Sequence, residues 1–169
     1  MPDTSRHLYA LSIGSNRPLS AQLTPPRLLA EAVRQIGALG DVIALSPTIE
    51  TPPLGPSRRR FANAALLVDS ALPPPVLLAA LQGIETGLGR RRFQRWGARR
   101  LDIDIILWSG GRWRSRDLLI PHPAFAQRDF VLRPLSAIAP DWKCPPSGQS
   151  VRHLHALLRK ASYHRATRG

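Results

Sequence analysis

Cysteine, lysine, acidic and aromatic residues are all scarce in this chain of 169 residues. The single cysteine, Cys144, excludes an internal disulfide and a zinc site built from several cysteines, and it is typical of a protein in a reducing compartment. No stretch approaches the roughly 18 consecutive apolar residues that a membrane helix needs, and the first residues lack the apolar core of a secretory signal. We therefore expect a cytoplasmic protein with no membrane partner.

Acidic residues number only 11 against 24 basic ones, which gives a formal net charge of +13, and Lys143 and Lys160 are the only lysines. The arginine excess indicates a polyanionic partner, because the guanidinium fork matches phosphate oxygens. An arginine-rich solvated surface would explain the overall excess equally well. A nucleic-acid-binding module is disfavoured, because aromatic residues amount to 6% and do not interleave with basic ones as in a stacking platform.

The order of apolar patterns predicts an α+β fold. Strand patterns cover residues 7–13, 41–45, 62–68 and 101–108, and the first runs into a predicted turn at residues 14–16 (GSN). Helical spacing covers residues 25–39, 72–89, 130–138 and 151–161. Pro134 should interrupt the third of these helices, and His153 and His155 belong to the polar side of the last. A twice-repeated β-α-β order predicts a ferredoxin-like βαββαβ sandwich, with a mostly antiparallel sheet and helices packed on one of its faces. We expect one domain over residues 1–169, with a flexible tail at 162–169, and a monomer.

Asp102 and Asp104 stand two residues apart in a strongly apolar strand pattern. Side chains alternate across a strand, so these carboxylates share one face, roughly 6.6 Å apart along the strand, while Leu101, Ile103 and Ile105 face the core. Carboxylates placed in this way can hold one hard cation or bridge a pair, and oxygen ligands favour magnesium. A polar strand face wetted by solvent is the simpler alternative.

Six arginines and no acidic residue occupy the eleven residues just before this strand: Arg90, Arg91, Arg92, Arg95, Arg99 and Arg100. Arginines beside metal-binding carboxylates are the combination that phosphoryl transfer uses, since both neutralise phosphate charge. A solvated basic loop is the alternative, although Trp96 has no obvious role in such a loop and could close over a ligand. The chain contains neither a Walker A motif nor the protein-kinase motifs, so nucleotide binding would use another arrangement.

A proline-rich loop at residues 51–56 and a few planar side chains favour a flat heterocyclic ligand. The stiff loop could present its backbone at little ordering cost. Phe61 and Asn63 share one face of a strand, and the amide of Asn63 offers donors and an acceptor to a ring edge. Phe130 could supply a second aromatic face. Most proline loops are merely connectors, and packing in the core would explain either phenylalanine.

Five segments taken together resemble 6-hydroxymethyl-7,8-dihydropterin pyrophosphokinases, which are enzymes of folate biosynthesis. They are residues 13–16 (IGSN), 50–56 (ETPPLGP), 82–92 (QGIETGLGRRR), 95–104 (RWGARRLDID) and 121–132 (PHPAFAQRDFVL). Each segment is a weak signal, whereas the ordered set, within residues 8–141, is specific. The chain departs from the family at Asp117 and Leu119, where some members place polar or basic contacts to ATP.

The resemblance implies an enzyme that transfers diphosphate from ATP to the hydroxymethyl group of the pterin and releases AMP. It implies that Asp102 and Asp104 hold two Mg²⁺ ions and that Arg90 and Arg99 act on the transferring diphosphate. The implied pterin-binding residues are Thr51, Pro52, Pro53, Leu54, Phe61, Asn63 and Phe130. The implied ATP-binding residues are Gln82, Glu85, Arg92, Trp96, Ile105, His122 and Arg128. A non-catalytic pterin-binding paralogue is the other alternative, and the intact carboxylate pair and arginines argue against it.

Overall fold

A computed structural model of the protein describes residues 5–15, 24–51, 61–89 and 101–167. The helices in these ranges are α1 (Pro25–Ile36), α2 (Pro74–Gly89), α3 (Asp129–Ile138) and α4 (Val151–Ala166). The strands are β1 (His7–Ser15), β2 (Asp41–Leu45), β3 (Ile49–Thr51), β4 (Phe61–Ser70), β5 (Asp102–Trp108), β6 (Trp113–Arg114), β7 (Leu119–Ile120), β8 (Lys143–Cys144) and β9 (Gln149–Ser150).

The main sheet has the strand order β2-β4-β1-β5, all pairs are antiparallel, and β3 also pairs with β4. Together with α1 after β1 and α2 after β4, this order is that of a ferredoxin-like fold, which confirms the predicted fold class. The two short hairpins, β6–β7 and β8–β9, were not predicted from the sequence, because two-residue strands carry no periodic signal. That the whole chain is one domain stays a prediction.

Helices cover both faces of the sheet, so the expectation that they cover a single face is wrong. On one face, α1 and α2 pack over Leu11, Ile13 and Leu66. On the other face, α3 and α4 pack over Ala10 and Leu67. The physical reason lies in the central strands, whose consecutive residues are apolar and buried on both sides, so that each face needs its own cover.

Two helices differ from their predicted extents. The sequence predicted an interruption of α3 at Pro134, yet α3 continues through this residue, which is buried. The missing N–H of Pro134 removes the bond to the carbonyl of Phe130, and packing of Val131 and Leu135 into the core compensates for that loss. Helix α4 continues to Ala166 rather than ending at Ala161, since no glycine or proline interrupts it.

Candidate active site

Polar side chains gather at one end of the sheet, on the face that α3 and α4 cover further along. In the register of the strands, Gly14 of β1 lies opposite both Asn63 of β4 and Asp102 of β5. The next row on the same face places Ser12 opposite Asp104. An amide and two carboxylates therefore line a shallow floor across three adjacent strands.

The predicted alternation in β5 is present. Ile103 and Ile105 are each 3% exposed and lie in the core beneath α1 and α2. Asp102 is exposed and Asp104 is half-buried, and both face away from that core. The carboxylates thus lie on the polar face of the sheet, because their neighbours Ile103 and Ile105 are buried on the opposite face.

Helix α2 is tied to β5 between the two carboxylates. Glu85 Oε1 accepts a hydrogen bond of 2.7 Å from the backbone N–H of Ile103. Among the described strands β5 lies at the edge of the main sheet, so this outward N–H does not pair with any of them. Glu85 thereby fixes the segment of β5 that carries Asp102 and Asp104.

His122 lies beside the same strand. Its backbone N–H donates to the carbonyl of Ile106 at 3.0 Å, and its ring Nδ1 accepts from the N–H of Ala124 at 3.2 Å. Burial lowers the pKa of His122, and Arg128 acts in the same direction, whereas the charge of Asp104 opposes them. The imidazole is therefore neutral near pH 7, and this hydrogen bond assigns its proton to Nε2.

A cleft of about 300 Å³ opens between α2, β5 and the segment around β7. It brings together sequence-predicted residues from three separate parts of the chain: Gln82, Glu85, Asp104, Ile105 and His122. Asp117 and Leu119, where the chain departs from the family pattern, line the same cleft. The cleft thus runs from the carboxylate floor along α2, with a mixed polar and apolar lining.

The start of α3 lies above the face of the sheet that carries Asn63. Phe61 and Asn63 lie on the same face of β4. Phe61 is half-buried, and Asn63 is 4% exposed. Phe130 packs against the core cluster that α3 shares with this face. The guanidinium carbon of Arg128 lies 5.7 Å from the centroid of the Phe130 ring, within the range of a cation–π interaction.

The carboxylates fit the ligand chemistry of Mg²⁺. Within the described residues, no group of three or more His, Cys, Asp or Glu side chains could hold a metal ion. Magnesium in nucleotide sites takes one or two carboxylates and completes its shell with water and substrate phosphates. Asp102 and Asp104 share one face of β5, and Asp104 lines the cleft, so the two carboxylates provide such an incomplete set.

Several sequence-predicted residues lie outside the described residues. These are Pro52, Pro53, Leu54, Arg90, Arg92, Trp96 and Arg99. Thr51 is the last residue of β3, but its side chain also lies outside the described part of the structure. Their assignments therefore stay predictions.

Sequence reasoning missed the contribution of β1. Gly14 was assigned to a turn, whereas it lies inside β1, between Asn63 and Asp102 in the register. Ser12 was not considered, although it is 7% exposed and lies opposite Asp104. A glycine inside an otherwise apolar strand was the available signal, since it marks a close approach of another group.

The family model of 7,8-dihydro-6-hydroxymethylpterin-pyrophosphokinase (HPPK) matches residues 10–140. The chain belongs to this family. The HPPK match contains β1 from residue 10 onwards, the strands β2 to β5 and the helices α1 to α3, and with them every described residue of the candidate site. Members of the HPPK family are ATP-dependent enzymes that transfer pyrophosphate to hydroxymethyldihydropterin in folate biosynthesis.

Individual relatives agree with this membership. A 2-amino-4-hydroxy-6-hydroxymethyldihydropteridine pyrophosphokinase of Methylorubrum extorquens is 40% identical over 134 residues, which are 78% of this chain and 84% of that protein. A protein of the same name from Synechocystis is 41% identical over 100 residues, which are 59% of this chain and 51% of that protein. The chain therefore spans about half the length of the Synechocystis relative.

A solved structure of HPPK-DHPS in complex with substrates shares the fold, with a TM-score of 0.74 and 14% sequence identity. The likeness covers 95% of this chain and 45% of that one. At this identity it supports the ferredoxin-like architecture alone. None of the helices in the described ranges is long and apolar enough to cross a membrane.

Proposed function

We propose that this HPPK chain transfers the terminal diphosphate of ATP to the 6-hydroxymethyl group of 6-hydroxymethyl-7,8-dihydropterin and releases AMP. The observation that carries the proposal is the convergence, on one end of the sheet, of a carboxylate pair, a nearly buried amide and an aromatic ring at the start of α3. A cleft that shares Asp104 with this floor leads away along α2 and has the size to take part of a nucleotide.

In the proposed reaction, the hydroxymethyl oxygen of the pterin attacks the β-phosphorus of ATP. The bond between that phosphorus and the oxygen bridging to the α-phosphorus breaks, the electron pair leaves with AMP, and the hydroxyl proton passes to solvent. Asp102 and Asp104 would hold two Mg²⁺ ions, which when bound neutralise phosphate charge and align the reacting oxygens.

Pterin binding is assigned to side chains of β4 and of the start of α3. Phe61 and Phe130 would stack on opposite faces of the ring, and the amide of Asn63 would recognise the polar edge of the ring. The cation–π contact of Arg128 with Phe130 holds that guanidinium next to the proposed ring site and leaves its N–H groups available for phosphate.

ATP binding is assigned to the cleft. His122 is neutral with its proton on Nε2, so it can donate a hydrogen bond to a phosphate oxygen without delivering a proton. The resemblance assigns further contacts to side chains outside the described part of the structure: Arg92 and Trp96 for ATP, Arg90 and Arg99 for the transferring diphosphate, and Thr51, Pro52, Pro53 and Leu54 for the pterin.

The proposal includes a cytoplasmic monomer that does not use nucleic acid as a partner. A free buried thiol at Cys144 is consistent with a reducing compartment. The arginines of residues 90–100 account for a polyanionic ligand without invoking nucleic acid, because ATP itself carries the complementary negative charge.

The test is AMP formation by the purified chain from ATP and 6-hydroxymethyl-7,8-dihydropterin in the presence of Mg²⁺. We expect turnover that requires both substrates and stops when EDTA removes the metal. Pterin binding without AMP formation would support a non-catalytic paralogue instead. Salt-dependent DNA binding without turnover would support a nucleic-acid-binding module.

A further inference from the structure

Helix α4 lies beyond the residues 10–140 that the family model matches, and one of its polar side chains contacts the first turn of α3 beside the proposed pterin pocket. His155 Nε2 lies 3.0 Å from Asp129 Oδ1, and the two side chains are 17% and 53% exposed. Asp129 is the first residue of α3, and its chain neighbours are Arg128 and Phe130. The pair therefore joins α4 to the residue between two proposed ligand-binding side chains.

The start of α3 has fewer backbone bonds than an ordinary helix. The N–H groups of Val131 and Leu132 both donate to the carbonyl of Arg128, at 3.1 and 3.0 Å. Pro134 has no N–H, so the carbonyl of Phe130 lacks the donor that position 134 of a regular helix would supply. A side-chain contact to this first turn consequently matters more here than at a regular helix start.

Helix α4 is held firmly enough to act as a support. The hydroxyl of Ser150 accepts from the N–H of His153 at 3.3 Å, and the N–H groups of Val151 and Arg152 donate to the carbonyls of Trp142 and Pro140, both at 3.0 Å. Leu154 and Leu158 pack against the core cluster that contains α3. His155 is adjacent to both leucines on the helix surface, so α4 presents its ring to α3 from a fixed position.

The pair lies beside two further basic side chains. A cavity of about 320 Å³ is lined by Asp129, Arg133, His155 and Arg159. Both arginines add positive charge around the carboxylate, and His155 is the residue whose ring makes the hydrogen bond. The carboxylate also lies at the positive end of the α3 dipole, where a negative side chain is stabilised.

We infer that His155 is a positioning residue for pterin binding, acting through Asp129 to orient Phe130. The inference rests on the proposed function, because it assumes that Phe130 stacks on the pterin. Loss of the His155 contact frees the first turn of α3 and misplaces the ring. Most of the proposed ATP contacts lie in the cleft along α2 and only Arg128 adjoins this turn, so ATP binding changes less than pterin binding.

The experiment compares His155→Ala with His155→Gln, whose amide nitrogen extends about as far as ring Nε2 and restores the donor. We expect His155→Ala to raise the KM for pterin about three- to tenfold, which is the loss of one partly exposed hydrogen bond, with kcat and the Kd for ATP nearly unchanged. His155→Gln should return the KM for pterin close to the wild-type value. Asp129→Asn, an isosteric change at an exposed side chain, should reproduce part of the defect and add little in the double variant.

His153→Ala is the matched control, because it removes the same side chain from the same helix at an exposed position. It should leave the KM for pterin unchanged. Equal losses of pterin and ATP binding in His155→Ala, or no rescue by glutamine, would show a merely structural role and overturn the inference. Phe130→Ala separates the two proposals: if it leaves pterin binding intact, the proposed pocket fails, whereas a defect in Phe130→Ala with none in His155→Ala overturns only the inference.

Discussion

Asn63 occupies the space into which a side chain at position 14 would project. A Cβ atom built on Gly14 would lie 2.6 Å from Asn63 Oδ1, closer than any such contact found in proteins. Asn63 is 4% exposed and lies opposite Gly14 in the register of β4 and β1. The bare backbone at position 14 is thus what lets the amide lie across β1, towards the carboxylates of β5.

Gly14→Ala should displace the amide of Asn63 and weaken pterin binding more than ATP binding. We expect an increase in the pterin Kd on the order of tenfold, since a hydrogen bond is worth about 1 kcal/mol and Asn63 is proposed to make more than one. Overpacking should also lower the free energy of unfolding by about 1–3 kcal/mol. Isothermal titration with each ligand and urea unfolding measure the two effects.

Gly87→Ala is the control for this substitution, because no atom lies within 4 Å of a Cβ at that position in α2. It should raise stability by about 0.5–1 kcal/mol and leave both ligands unaffected. Asn63→Ala combined with Gly14→Ala should recover much of the lost stability. A Gly14→Ala protein with wild-type pterin affinity would contradict the role of Asn63.

Asp102→Asn and Asp104→Asn should each lower the rate of AMP formation on the order of a hundredfold or more, because metal coordination supplies several kcal/mol of charge stabilisation. The fold should survive, since Asp102 is exposed and Asp104 half-buried. Titration with Mg²⁺ in the presence of ATP should show weaker metal binding. Asp141→Asn, at an exposed carboxylate paired with Arg152, is the control, and near-normal turnover in either site variant would refute the assignment.

Glu85→Ala should weaken Mg²⁺ binding in the presence of ATP, because Glu85 fixes the N–H of Ile103 between the two carboxylates. It should also cost about 1 kcal/mol of stability. Glu85→Gln keeps an acceptor oxygen and should lie closer to the wild type in both measurements. Glu31→Ala, whose carboxylate bonds only within α1 among the described contacts, serves as control. Identical defects in Glu85→Ala and Glu85→Gln would show that charge, rather than the hydrogen bond, is what matters.

Ionisation of the Tyr9 hydroxyl should make the protein less stable at high pH. This hydroxyl donates to the carbonyl of Leu72 at 2.6 Å, and burial raises the pKa of Tyr9 to about 12. The unfolded value is about 10, so the neutral hydroxyl is favoured by folding. Its contribution is complete below pH 10 and is lost as the pH rises from 10 towards 12.

Tyr9→Phe should therefore be about 1 kcal/mol less stable than the wild type at pH 8, because it lacks this hydrogen bond. The difference should shrink above pH 10 in urea unfolding. Burial also raises the pKa of the Cys144 thiol, to about 11, but that residue is common to both proteins and cancels in the comparison. A stability difference that stays constant up to pH 11 would contradict the prediction.

Much of the fold follows from local patterns. The apolar alternation of β5 predicted that Ile103 and Ile105 are buried and that Asp102 and Asp104 share the other face, and the structure has this arrangement. The order of strands and helices predicted the ferredoxin-like sheet. These features follow from periodicity, because side-chain direction along a strand depends on sequence position alone.

The partners of the site residues did not follow from periodicity. His155 was interpreted as part of the polar side of a terminal helix, yet its ring contacts Asp129, 26 positions earlier in the chain. Gly14 was assigned to a turn, and its contact with Asn63 depends on how β1 pairs with β4. Contacts of this kind arise from strand register and from the face on which a helix packs.

The sequence by itself determined the family and the strand that carries the carboxylates, and it predicted an oxygen-ligand site beside arginines. These depend on residue types and short spacings, which are local properties. The tertiary structure alone decided that α3 and α4 cover the second face, that Glu85 holds β5 at Ile103, and that α4 reaches the first turn of α3. The physical reason is that such contacts join residues far apart in the chain, and only packing of the apolar faces fixes their distance and direction.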